Sequence, residues 1–296
     1  MREQCPYCTS TRSTSGPERG GLAYRNCVDC GSGYVEEPPI EFRDYYVDYD
    51  PNLVADLPEI LVRRYQGMLA RLEALTPGRR MLEVGCGNGH FLSVARGRGW
   101  EVKGTELSRA HVGHAQARGL DVVYGDLVAD PLWADRAFDV VVLIEVVEHV
   151  PEPRELLAAC ARRLDPGGVL FVTTPNYGSM TRRILGGGWS VLGVEHVALA
   201  SQRGLRRALN EVGFDVIRLW SKSLFVGEYR RLLARDRGAP DVPLAAENAE
   251  LRDRIEGSAI LSLAKEGANA VLKLTGLGEA MECWARKRDG GGSTRV

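Results

Sequence analysis

The segment LIEVVEHV, Leu143 to Val150, ends an almost wholly apolar run with Glu145, Glu148 and His149. These positions are i, i+3 and i+4, so a helical turn beginning after Ile144 would point all three side chains the same way. A further imidazole, His196, lies in a long loop beyond the flexible stretch GGGW at 186–189. Two carboxylates and two imidazoles suit a divalent cation such as Mg or Mn, with coordination positions open to a substrate's oxygens. Without a cation, His149 suits a general base or a structural cap on the loop. A separate donor set occupies the first 36 residues, where CPYC supplies Cys5 and Cys8 and CVDC supplies Cys27 and Cys30. Two C-x2-C knuckles at this separation fit a four-thiolate zinc ribbon, in which zinc staples a segment too small to fold alone. Cys86, Cys160 and Cys283 are scattered singly.

Elements that must position these groups are legible in the apolar periodicity. Residues 37–56 mix Pro, acids and tyrosines without a period and read as a linker, with Tyr45, Tyr46 and Tyr49 expected to pack on the main domain or, as the alternative, to cover a substrate cleft. Helical spacing runs from Leu57 through Leu75 and is broken by TPGRR. Short apolar runs then alternate with helical segments: strands are expected at 81–85, 101–106, 121–125, 138–144, 168–174 and 214–220, and helices near 89–97, 108–118, 152–164 and 201–213. Such alternation implies an α/β fold with a doubly wound, mostly parallel sheet and ligands at the carboxyl ends of its strands. Residues 228–275 interrupt the pattern as one or two helices that would serve as a lid or a self-association surface for a homodimer, or simply pack against the domain. EAMECWARKR then supplies a last strand, and 289–296 read as a disordered tail.

Composition narrows the function classes. The chain has 296 residues, 44% hydrophobic and 26% charged, and a formal net charge of -1. The balanced charge argues against nucleic acid as partner. MREQCPYC lacks the apolar core of a signal peptide, and no apolar run is long enough for a membrane span, so a cytoplasmic protein with a small-molecule substrate is expected.

LEVGCGNGHF places Gly85, Gly87 and Gly89 at the first strand-to-helix turn, where glycine tolerates positive φ and lets a ligand approach free backbone N–H groups. His90 stands where a dinucleotide fingerprint needs its third glycine, which argues against NAD or FAD. Glu106 ends the second strand, placed to accept hydrogen bonds from both ribose hydroxyls of a nucleoside, and Asp126 comes just after the third strand, near an adenine edge.

With LEVGCGNG, Glu106, Gly125–Asp126, FDVVVLIEVVEHVPEP and LDPGGVLFVTTPN in this order and spacing, the chain resembles the class I S-adenosylmethionine-dependent methyltransferases over about residues 57–287. The resemblance implies a seven-stranded sheet whose last strand is antiparallel, over a domain at 57–288. It implies S-adenosylmethionine as cofactor, with Gly85, Gly87 and Gly89 beside its methionine portion, Glu83 supporting the loop, Glu106 on the ribose, Asp126 on the adenine and Glu145 near the methyl group. The E-x-x-E-H segment with a distal histidine is similar to ubiquinone-pathway O-methyltransferases and to small-RNA 3'-terminal 2'-O-methyltransferases. That likeness implies Glu145, Glu148, His149 and His196 as ligands of a divalent cation. In class I enzymes without a metal, His149 would serve as base or cap, so both readings stand. A zinc ribbon ahead of such a domain resembles bacterial methyltransferases acting on natural products, sugars or surface-glycan precursors. The expectation is O-methylation of a small molecule in natural-product, sugar or quinone-type metabolism, with His149, Glu145 and His196 catalytic. RNA 2'-O-methylation, sugar C-methylation and a non-catalytic cofactor-binding partner are the alternatives.

Overall fold

The computed structural model describes residues 2–38, 42–47, 57–223 and 259–289. The chain opens with three antiparallel strands, β1 (Ser13–Arg19), β2 (Leu22–Cys27) and β3 (Gly33–Val35). A short helix, α1 (Phe42–Val47), lies inside the segment read as a linker. Then come α2 (Glu59–Leu75), β4 (Arg80–Val84), α3 (His90–Gly97), β5 (Glu101–Glu106), α4 (Arg109–Ala117), β6 (Asp121–Tyr124) and β7 (Phe138–Ile144). The remaining elements are α5 (Pro153–Arg163), β8 (Leu164–Pro175), α6 (Met180–Leu185), β9 (Ala198–Leu199), α7 (Gln202–Glu211), β10 (Phe214–Lys222), α8 (Ala259–Thr275) and β11 (Ala280–Lys287). Of the segment expected to form a lid or self-association surface, 228–258 lies outside the described residues, as do 290–296 of the expected tail. No described helix is long and apolar enough to cross a membrane.

Seven strands form one sheet in the order β10-β11-β8-β7-β4-β5-β6. β4 pairs in parallel with β5 and β7, β5 with β6, and β7 with β8, while β11 runs antiparallel to both β8 and β10. The continuous apolar run of β7 suits a strand covered on both sides. Val140 and Val142 enter one core with Met68, Leu69 and Leu72 of α2 and Phe91 and Leu92 of α3. Val141 and Leu143 enter the opposite core with Leu156 and Leu157 of α5 and Leu205 and Leu209 of α7. Chain order runs outward from β4 through β5 to β6, then returns to β7 on the other side of β4. That reversal opens a crevice at the carboxyl ends of β4 and β7, where Gly85 and Glu145 begin their loops.

A second sheet, β1-β2-β3-β9, was not legible in the sequence. Gly33 pairs with Leu199 and Tyr34 with Ala198, so the loop between β8 and α7 supplies the fourth strand of the cysteine-bearing sheet. Cys5, Tyr7, Cys8, Cys27, Cys30 and Tyr34 are buried in the same core as α5 and α7. The N-terminal segment is therefore packed on the larger sheet's domain as part of its core. Ser201 joins the two, its hydroxyl capping α7 through the Gly204 N–H at 2.9 Å while also donating to the Cys30 carbonyl.

Candidate active site

A cavity of about 410 Å³ opens in the crevice between β4 and β7. One end is lined by Gly85, Gly87, Thr105, Glu106 and Asp126, the other by Glu145, His149, Glu195 and His196, with Tyr45 and Tyr46 of α1 also in its wall, Tyr46 against His149. Of the two readings of these tyrosines, packing on the domain or covering a cleft, their place in the cavity wall favours the second; Tyr49 lies outside the described residues. His111, on α4, also lines the cavity.

The glycine turn is built on left-handed backbone: φ is +66° at Gly85, +53° at Gly87 and +78° at Gly89. A Cβ at Gly85 would lie 2.8 Å from a Val146 methyl, and one at Gly89 would lie 2.3 Å from Leu120. Gly85 and Gly87 face the cavity, while Gly89 caps α3 and lets it pack closely. Glu106 secures the turn: its carboxylate accepts from Gly87 N–H at 2.8 Å, Leu107 N–H at 2.8 Å and Ser108 N–H at 2.9 Å. Asp126 accepts from Val128 N–H at 2.8 Å, which orients its carboxylate at the cavity wall. Glu83 sits behind the loop, 3% exposed, and burial together with the charge of Glu106 holds its carboxyl well above the usual carboxylate range.

The acceptor end departs from the expected single helical face. Glu145 has φ +54°, a left-handed conformation that costs a non-glycine residue about 1–3 kcal/mol and gathers at functional sites. Its N–H still extends the sheet by donating to the Thr173 carbonyl at 3.0 Å, and its carboxylate accepts from the Thr173 hydroxyl at 2.7 Å. The turn closes only afterwards, from His149 N–H to the Val146 carbonyl at 3.1 Å. Glu145 thereby falls outside the group of ligand atoms that Glu148 and His149 form with His196, although its carboxyl still neighbours that of Glu148.

Glu148, His149 and His196 do converge, each offering a ligand atom within 4.8 Å of the others. Glu148 is 1% exposed; one carboxylate oxygen accepts from the Thr174 hydroxyl at 2.9 Å, and the other has no hydrogen-bond partner among the described residues. Burial, and then the charge of Glu145, raises its carboxyl well above the usual range. A buried oxygen without a donor is costly unless something positive meets it. The ring centroids of His149 and His196 are 4.6 Å apart. Burial, reinforced by His196, pushes the His149 imidazole down to about 4, so it is neutral near pH 7. Its Nδ1 lies 3.0 Å from the Glu195 carbonyl and 2.7 Å from the Tyr46 hydroxyl. A carbonyl can only accept, so Nδ1 carries the hydrogen and Nε2 keeps the lone pair.

The cysteines form a second donor set. Sγ of Cys5 and Cys30 are 3.6 Å apart and those of Cys8 and Cys27 3.5 Å, with all four within 4.8 Å of one another. A tetrahedral zinc with Zn–S near 2.3 Å spaces its sulfurs about 3.8 Å apart, which this cluster matches. A hydrogen bond from Cys5 lowers the Cys30 thiol to about 5, whereas burial pushes Cys8 up to about 12 and the hydrogen bond to Cys30 raises Cys5. One thiol ionises at the expense of its neighbours, so four thiolates require a cation among them.

Comparison with known proteins places this geometry. A methyltransferase-domain family profile matches residues 57–219. The ubiquinone biosynthesis O-methyltransferase of Burkholderia multivorans is 35% identical over 133 residues, covering 43% of this chain and 55% of that protein. The chain thus spans about half the length of that relative. Among solved structures, a sarcosine dimethylglycine methyltransferase assignment from Galdieria sulphuraria superposes with TM-score 0.51 at 18% identity, over 78% of this chain and 86% of that one. A SAM-dependent methyltransferase from Thermotoga maritima superposes with TM-score 0.50 at 21% identity, over 77% and 93%. With the profile match spanning more than half of its length, this chain belongs to the methyltransferase-domain family, enzymes built here on the class I S-adenosylmethionine-dependent methyltransferase fold.

Proposed function

We propose that this chain methylates a hydroxyl oxygen of a small molecule in the cytoplasm, using S-adenosylmethionine, with residues 57–288 as catalytic domain and 1–36 as a structural zinc ribbon. The observation that carries the reading is the neutral His149 imidazole, fixed through Nδ1 and grouped with Glu148 and His196 in the same cavity as the glycine turn. O-methyltransferase relatives support an oxygen acceptor.

Glu106 would hold the ribose hydroxyls, Asp126 the adenine edge, and the Gly85–Gly89 turn the methionine portion. When bound, the cofactor supplies a methyl group on a cationic sulfur, activated for in-line attack. The residues around it mainly align the acceptor and exclude water. α1 and its two tyrosines suit that role over the acceptor end. Glu148, His149 and His196 would hold a divalent cation, with Glu145 beside them on the cavity wall; such an ion lowers the pKa of a hydroxyl and favours substrates with two adjacent oxygens, catechols and vicinal diols. The fixed Nδ1–H of His149 supports a second reading, in which Nε2 takes the hydroxyl proton as the acceptor oxygen forms the new C–O bond and the C–S pair returns to sulfur.

Two measurements test the proposal. S-adenosylmethionine should raise thermal stability while NAD should not, and Glu106→Ala, which strands three backbone N–H donors, should weaken cofactor affinity about 100-fold by titration calorimetry. Turnover of a catechol, phenol and sugar panel should yield S-adenosylhomocysteine and a methyl ether. A methyl group found on carbon or nitrogen would overturn the oxygen assignment, and NAD stabilisation would overturn the cofactor.

A further inference from the structure

The loop that carries His196 is laid on the cysteine-bearing sheet along its whole length. Arg19 donates to the Trp189 carbonyl at 2.8 Å. Trp189, Leu192 and Leu199 share an apolar cluster with Leu22, Tyr24 and Val35. Downstream of His196, the Val35 N–H donates to the Val197 carbonyl at 3.0 Å, and the Tyr7 hydroxyl to the Ala198 carbonyl at 2.7 Å. Ala198 in turn donates its N–H to the Glu148 carbonyl at 3.0 Å, so the same short strand reaches the acceptor end.

Tyr24 occupies the tightest point of this arrangement. Its hydroxyl donates to the His196 carbonyl at 2.8 Å, lies 3.1 Å from the Gly193 carbonyl, and accepts from the Gly193 N–H at 3.3 Å. It thereby closes the turn from Gly193 to His196, whose own hydrogen bond, His196 N–H to the Gly193 carbonyl, is 3.1 Å. That turn presents two groups to the site: the Glu195 carbonyl, which receives Nδ1–H of His149, and the His196 ring, 4.6 Å from the His149 ring. Tyr24 is 1% exposed, and burial raises its phenol to about 12, so it remains a neutral donor throughout the working range.

We infer that the ribbon does more than fold: Tyr24, seconded by Tyr7, is a positioning residue that sets His149 and His196 through the turn from Gly193 to His196. The inference rests on the proposed role of those histidines, and it makes ribbon integrity a condition of catalysis at a site to which the ribbon's cysteines contribute no atom. Position 24 thus carries out through a backbone turn what the sequence pattern of β2 shows only as an inward-facing strand residue.

The test uses the full zinc-loaded chain and three substitutions: Tyr24→Phe, Tyr7→Phe, and Tyr34→Phe as a buried ribbon control whose hydroxyl neighbours Ser13 instead. Long-range proton–nitrogen correlation spectra resolve the five histidine rings. Tyr24→Phe should shift or broaden the His149 and His196 signals, leave His114 unchanged, retain one zinc, and weaken Mn binding at the Glu148, His149 and His196 cluster about tenfold. Tyr34→Phe should leave those rings and Mn binding as in the wild type. If Tyr24→Phe loses zinc or fails to fold, Tyr7→Phe gives the same reading through Ala198. Unchanged His149 and His196 signals in a folded Tyr24→Phe or Tyr7→Phe protein, or equal perturbation by Tyr34→Phe, would overturn the positioning role. Absence of Mn binding in the wild type would sink the proposed cation site, and the ring spectra would still decide the role of Tyr24.

Discussion

His149→Ala should lower turnover about 1000-fold, within the range expected when an enzyme loses the group that handles its substrate's proton. Cofactor affinity should change less than about twofold, because the contacts of His149 are to Tyr46, Glu195 and His196 at the acceptor end and not to the glycine turn. The loss should therefore fall on kcat. Both readings of the site share this outcome, since the same Nε2 either binds a cation or takes a proton. The substitution also removes an unfavourably buried imidazole, so thermal stability should hold within a few degrees. Steady-state kinetics with calorimetric cofactor titration makes the check; retention of more than a tenth of wild-type kcat would remove His149 from the chemistry.

Loss of the ribbon metal should produce the second large effect. Structural zinc contributes on the order of 10 kcal/mol to small domains that depend on it. The four cysteines are buried and belong to the core shared with α5 and α7, so Cys27→Ser should disturb that core as well as the ribbon. A fall in the thermal midpoint of more than about 10 °C, together with loss of turnover, is expected for Cys27→Ser and for protein treated with a strong chelator. Calorimetry on wild type and variant, with zinc measured per chain, tests this directly. An unchanged midpoint in zinc-free protein would show that the ribbon folds by packing alone.

Much of the sheet could be read in advance because it rests on local patterns. Apolar runs such as FDVVVLI are short, bounded by turn residues and separated by helical segments, and β7 forms over the same residues, Phe138–Ile144. The glycine turn and Glu106 were likewise legible, because a tight turn at a strand end constrains residue type at fixed spacing. What escaped depends on distant partners. β9 is only two residues long and exists because Gly33 and Tyr34 pair with it from far away in sequence. α1 lies among prolines and acids and is placed against the cavity by tertiary contacts. Glu145 leaves the strand in a left-handed conformation with its N–H still bonded to the Thr173 carbonyl, where the i, i+3, i+4 spacing suggests a helix. Tyr24 gave no signal at all, since alternation in LAYRNC is what any half-buried strand shows.

The central claim is that Glu148, His149 and His196 form a cation-binding acceptor site distinct from the cysteine cluster. Metal content per chain, after dialysis against a defined mixture of Mg, Mn and Zn, tests it most directly. The wild type should carry two ions per chain, and a His149→Ala, His196→Ala double variant should carry one, with zinc retained at the cysteines. One zinc per chain in both proteins would contradict the cation site and leave His149 to act, if at all, as a base.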